Sequence, residues 1–145
     1  MSCSELYKGS WCTHRAHLLP QIQATEKRNA HRFARQIDQA LTSGRASLFF
    51  NLDGFVVLEP CARKDGTWVV VLFAMGWCDE AVACYHECVT ELARQIGAEG
   101  IECQTVVSAL APNLESAGFQ RVGQRGRLHI WQRRVSWADD VQCHK

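Results

Sequence analysis

The stretch "TWVVVLFAMGWCDEAVACYHECVTELARQIG", residues 67–97, decides the fold. Trp68–Met75 is apolar without interruption, where a half-solvated strand would alternate. That pattern belongs to a strand buried on both faces. Gly76 breaks the run. From Asp79 to Ile96, the positions Tyr85, Cys88, Val89, Leu92 and Ile96 recur three and four residues apart, which predicts a helix with that buried stripe. Gly97 and Gly100 flank its exit, and Ile101–Val106 reads as the next strand. Strand, helix and strand in this order predict a right-handed parallel crossover. The strand at 68–75 then lies at the centre of a sheet with helices on both faces.

Working outward, Ser47–Asn51 and Phe55–Glu59 read as strands joined at Asp53-Gly54, with Pro60 ending the second. Asp65-Gly66 signals the hairpin into the central strand. Upstream, Ala30, Phe33, Ala34, Ile37, Ala40 and Leu41 predict one helix over about residues 24–42, capped by Thr25 and closed by Gly44. Residues 1–23 read as irregular, with Trp11 and Leu18-Leu19 as anchors. Downstream, a short helix over 110–117 stops at Gly118 in a left-handed cap. Phe119–Val122 and Leu128–Arg134 form a hairpin around "GQRG", and 136–145 is a polar tail. The fold class is α+β, one domain over 1–145, with a mixed, mostly antiparallel central sheet flanked by helices.

Composition narrows function. Hydrophobic content of 47% and net charge +1 describe an ordinary globular chain, with no field strong enough to argue for nucleic acid. No apolar run reaches membrane-spanning length, and Lys8, His14, Arg15 and His17 interrupt any signal-peptide core. The expected location is intracellular, in the cytoplasm. The eight cysteines include Cys84, Cys88 and Cys103 inside apolar stretches and read as core thiols. Cys84, His86 and Cys88 do not converge on a metal, because on a helix His86 points some 200° from Cys84. Cys12, His14 and His17 match no standard metal spacing. No metal is expected.

The element order, with "LAPNLESAGFQRV" near the end, resembles the GNAT superfamily of N-acetyltransferases over roughly Ala24 to Val135. The resemblance implies an acyl-CoA site where the central strand splays from its neighbour. Strand residues Phe73, Ala74 and Met75 would pair with the pantetheine arm. The turn Gly76, Trp77, Cys78 and the helix start at Ala81 would face the pyrophosphate. The family signature in that turn begins with Gln or Arg and carries a second small residue after Gly. Here only Gly76 and Ala81 suit close approach, and Asp79 and Glu80 place two acids in the first helical turn. Those acids satisfy the helix dipole themselves, worth about 0.3–1 kcal/mol. The family's general base would fall to Glu59, whose bland alternative is a solvated strand end. At the family's Tyr position stands Leu114, which offers no proton.

The closing hairpin is basic, with Arg125, Arg127, Arg133 and Trp131, followed by Trp137. Arginine beside tryptophan suits a protein interface; charge protecting an edge hairpin is the plainer reading. Two functions therefore stand. One is a GNAT-fold protein with a degenerate acyl-CoA site, no cofactor, and a structural or protein-binding role with a partner or second copy. Small virion-associated phage proteins are of this kind, which would place it in the host cytoplasm or virion. The other is an acetyl-CoA-dependent N-acetyltransferase acting on an amine. Two missing family features favour the first.

Overall fold

The computed structural model describes residues 6–29, 32–51, 54–75, 79–105 and 111–135, with backbone alone at 29 and 79–85. The strand at 68–75 becomes β4, Gly66–Met75, and the helix after it α3, Asp79–Gln95. α3 leads into β5, Gly100–Thr105, which pairs parallel to β4. Before β4 come β2, Ser47–Phe50, and β3, Phe55–Arg63, joined as antiparallel neighbours. After β5 come α4, Ala111–Ser116, β6, Gln120–Arg125, and β7, Leu128–Arg134. With β1, Tyr7–Gly9, these strands make one seven-stranded sheet in the order β1-β2-β3-β4-β5-β7-β6. Among the described residues, only the β4–β5 pair is parallel. The mixed sheet of the α+β expectation is therefore present.

Each face of the sheet carries its own core. Val89 and Ala93 of α3 and Leu114 of α4 pack with Val56, Leu58, Val69, Val71, Ile101 and Cys103. On the other face, α1, Trp11–Asn29, and α2, Ala34–Thr42, pack on Leu48, Phe55, Val57 and Phe73. Successive β3 residues alternate between the two cores, as a doubly buried strand must. Gly100 is required where β5 passes Trp68: a Cβ there would lie 2.8 Å from the Arg133 carbonyl and collide with the Trp68 ring. Gly118 closes α4 at φ +91°, the left-handed cap read from sequence.

Four expectations are corrected. The single helix over 24–42 is two helices, and Thr25 lies inside the first, its hydroxyl donating to the Gln21 carbonyl. The break follows from Glu26. Its carboxylate accepts the N–H groups of Phe33 at 2.7 Å and Ala34 at 3.1 Å. In a continuous helix those donors would point to the carbonyls four residues back. Within the segment 1–23, expected to be irregular, the described residues 6–23 form β1 and most of α1. β3 also runs through Pro60, because β2 reaches only as far as Leu58 and leaves Pro60 on an open edge. Finally, α3 is rotated by about one residue. Among its described side chains the buried positions are His86, Val89, Thr90 and Ala93, while Ile96 is 55% exposed. Thr90 is tolerated inside because its hydroxyl donates to the His86 carbonyl at 2.7 Å.

α1 is fastened to α2 through Asp38. The Asp38 carboxylate accepts the Trp11 indole N–H at 2.8 Å and a bidentate Arg15 guanidinium at 2.8 Å. Arg15, against the weaker opposing effect of burial, holds the Asp38 carboxyl at a pKa of about 2. A depressed carboxyl stabilises the fold above its unfolded pKa and stops doing so as pH falls through its folded pKa. Because Arg15 is half exposed, the contribution is about 1 kcal/mol rather than the full linkage value. Asp38→Asn should therefore lower Tm by about 2–4 °C at pH 7. That gap should narrow as pH drops from 4 to 2, and a pH-independent gap in thermal melts would refute it.

Candidate acyl-CoA cleft

β4 and β5 are neighbours for only part of their length. Trp68, Val69, Val70 and Val71 pair with Gly100, Ile101, Glu102 and Cys103, and there the ladder stops. Both strands continue, but outward: β4 stays on β3 as far as Met75↔Phe55, and β5 stays on β7 as far as Thr105↔His129. The cause is local. Val57 pairs with Phe73 and Leu58 with Val71, so Leu72 is an extra residue in β4. Such a bulge bends and twists the strand that carries it and reverses which face later residues point to. Val69 and Val71 accordingly face α3 and α4, whereas Phe73 faces α1 and α2.

This opens a cleft in the middle of the sheet. Ala74 is exposed although it lies on the central strand and pairs with the fully buried Val56. Phe73 closes the opposite face, its ring 5.7 Å from both Phe33 and Phe55, and Met75 packs on the same cluster. Among the described residues, no strand pairs with the inner edge of Phe73–Met75. Unpaired backbone edges are what an extended ligand can use.

Of the residues expected to hold a cofactor, Phe73, Ala74 and Met75 thus meet at the cleft. Gly76, Trp77 and Cys78 lie outside the described residues, and Ala81 lies in the first turn of α3. α3 begins at Asp79, so Asp79 and Glu80 do occupy that turn. Leu114 is buried in the core and has no polar atom to offer. Glu59 lies within β3 rather than at its end, paired with Val70, and its side chain is half-buried with an oxygen 3.4 Å from Arg45. By strand alternation it shares the α1/α2 face with Val57 and Phe73.

One carboxylate escaped the sequence reading. Glu102, on β5 just before the split, is 3% exposed. It accepts hydrogen bonds from Arg63 at 2.9 Å, Gln132 at 2.8 Å and Gln104 at 2.6 Å. Burial pushes its carboxyl upward, yet Arg63 and the two amides together outweigh burial and hold it below the usual range. With three donors on it, Glu102 is an anchor and not a proton acceptor. It fixes Gln104, the first β5 residue past the split, whose amide oxygen also accepts from Arg125 at 3.1 Å. The signal was a glutamate between Ile101 and Cys103 in an apolar strand, since a buried Glu requires partners.

Part of the basic hairpin is turned inward. Trp131 is 5% exposed and belongs to the α3/α4 core. Its partner across β5 is Cys103, whose thiol burial pushes up to about 12. Arg133 is half-buried, lies 5.5 Å over the Phe119 ring and donates to Thr90. Arg125 and Arg127 are exposed, and Trp137 lies outside the described residues. His86 is buried against Phe119, 5.3 Å between rings; desolvation, then Arg133, lowers its pKa to about 4, so it is neutral. Among the described residues no His, Cys, Asp and Glu gather as metal ligands, and no helix is long and apolar enough to cross a membrane.

No family model and no curated protein matches the sequence. Solved structures do match its fold. An acetyltransferase of the GNAT family from Listeria monocytogenes 4b F2365 superposes with TM-score 0.60 at 12% identity, over 89% of this chain and 94% of that one. A provisionally named acetyltransferase from Staphylococcus aureus MU50 gives TM-score 0.60 at 12% identity, over 92% and 100%. The chain has the fold of GNAT acetyltransferases.

Proposed function

We propose that the chain is an acyl-CoA-dependent N-acyltransferase, moving an acetyl group from acetyl-CoA to an amine. The observation that carries this reading is the split of β4 from β5 past Val71 and Cys103. Parting two central strands forgoes ladder hydrogen bonds worth about 0.5–1.5 kcal/mol each. An extended ligand pairing with the free edge would recover that loss. Phe73–Met75 presents the unpaired edge, and the small Ala74 side chain leaves room beside it.

Acetyl-CoA, when bound, supplies a thioester carbonyl that an amine can attack, releasing the thiol. The chain's part is mostly positioning. Backbone N–H and C=O groups of Phe73–Met75 would align the pantetheine arm, which alone can lower a bimolecular barrier substantially. Phe73 and its ring neighbours keep water from one side of the cleft. Glu59, the carboxylate the resemblance assigns as base, lies on the α1/α2 face that Phe73 closes and beside Arg45. The amine's proton would therefore pass to solvent water on the open side of the cleft. Gly76 and the backbone of Ala81 are assigned to the pyrophosphate end.

A second reading, a non-catalytic binding role of the kind found in virion-associated proteins, is favoured by the acidic opening of α3 at Asp79 and Glu80. Turnover separates the two. Incubation with acetyl-CoA and a panel of primary amines should release free CoA, measured by chromatography because the chain's eight cysteines would consume thiol dyes. Release no faster than buffer hydrolysis for every amine would reject catalysis.

A further inference from the structure

Resting on the acyltransferase reading, we propose that the acceptor is an amine carrying its own negative group, a carboxylate or phosphate. The group that would receive it is a cluster of cations where α1 meets α2. Lys27 and Arg28 end α1, Arg32 precedes α2, and Arg35 lies in its first turn; all four are exposed. Glu26 ties the end of α1 to the backbone of Phe33 and Ala34, which joins the two helix ends that carry these cations. Phe33 then fixes that place relative to the cleft, because its ring lies 5.7 Å from Phe73 on the splayed part of β4.

The charge is concentrated and unbalanced. Residues 6–45 hold seven of the chain's 16 Lys and Arg but two of its 15 Asp and Glu, and the remainder is net acidic. Both local acids are occupied. Glu26 accepts backbone N–H groups, and Asp38 accepts Arg15 and Trp11. Among the described residues, no carboxylate lies within ion-pair distance of Lys27, Arg28, Arg32 or Arg35. Arg32 and Arg35 moreover add positive charge at the N-terminus of a helix, where the backbone dipole is already positive. A field of one sign at the edge of a cleft concentrates ligands of the other sign. The acceptor's anionic group would sit on these side chains while its amine points toward Phe73 and the strand gap.

Matched acceptors test this. Phosphoethanolamine is compared with ethanolamine, and β-alanine with β-alaninamide, each with acetyl-CoA. The anionic member of each pair should show kcat/KM at least tenfold higher at low salt, with the ratio shrinking in 0.5 M salt as charge is screened. The double variant Arg32→Glu, Arg35→Glu should reduce that ratio at least tenfold. Turnover with no preference for the anionic member overturns this proposal and leaves the acyltransferase reading standing. Weaker acetyl-CoA binding by the variant, with the acceptor ratio unchanged, assigns the cations to cofactor phosphates and also overturns it. Absence of turnover with all four amines, and with the wider amine panel, removes both readings.

Discussion

Trp131→Ala should destabilise the protein by about 3–5 kcal/mol, the range for deleting a large buried aromatic. The indole projects from β7 into the core under α3 and α4, in the cluster with Val89, Ala93, Ile101, Leu114 and Phe119. Removing it leaves a cavity that rigid strands on both sides cannot close: Trp131 pairs with Cys103 on one flank and Arg121 on the other. Denaturant unfolding should show a lower midpoint with an unchanged m-value. An interface role would have produced the opposite pattern, a fold of normal stability that loses a partner. A stability change under 1 kcal/mol would contradict the core placement. Arg125→Ala, by contrast, changes an exposed contact to Gln104 and should alter stability by about 0.5 kcal/mol or less.

Ala74→Trp should raise the Kd for acetyl-CoA at least tenfold, about 1.4 kcal/mol, while the protein stays folded. The position combines two properties that rarely occur together. It lies on the central strand of the sheet, yet its side chain is exposed. An indole there fills the gap beside the free edge of β4 without entering either core. Overpacking of a closed core would cost about 1–3 kcal/mol, so a Tm shift of only a few degrees is the check that the cleft is open. Wild-type affinity in this variant would mean that the cofactor, if bound, lies elsewhere.

The sequence made some parts of this structure plain and hid others for physical reasons. β4, α3 and β5 were legible because an unbroken apolar run, a helical stripe and a second strand leave one parallel arrangement. Asp65-Gly66 and Gly118 were legible because their turns demand those residues. α1 was not, because among its described side chains it buries only Trp11, Leu18 and Ile22, and it carries Pro20 within it, so its periodicity is faint. The break between α1 and α2 depends on a single carboxylate, Glu26, reaching residues seven and eight positions on, which no periodicity records.

The site divides similarly. That the cleft lies at Phe73–Met75 followed from the resemblance, but the Leu72 bulge that creates it is invisible in a run of uniformly apolar residues. Glu102 was hidden because its three partners come from β3, β5 and β7, brought together only by the sheet. The burial of Trp131 was hidden because a tryptophan among arginines looks like a surface anchor until strand pairing turns it inward. The acids at Asp79 and Glu80, read correctly as the start of α3, argue against a bound diphosphate, whereas the open edge of β4 argues for an extended ligand. The strand geometry is the stronger guide, because helix-end charges are worth tenths of a kcal/mol and can turn toward solvent.

Calorimetric titration of the wild-type protein with acetyl-CoA tests that judgement most directly. A one-site isotherm with Kd in the micromolar range is the predicted result. A flat titration at ligand concentrations up to the millimolar range would contradict it.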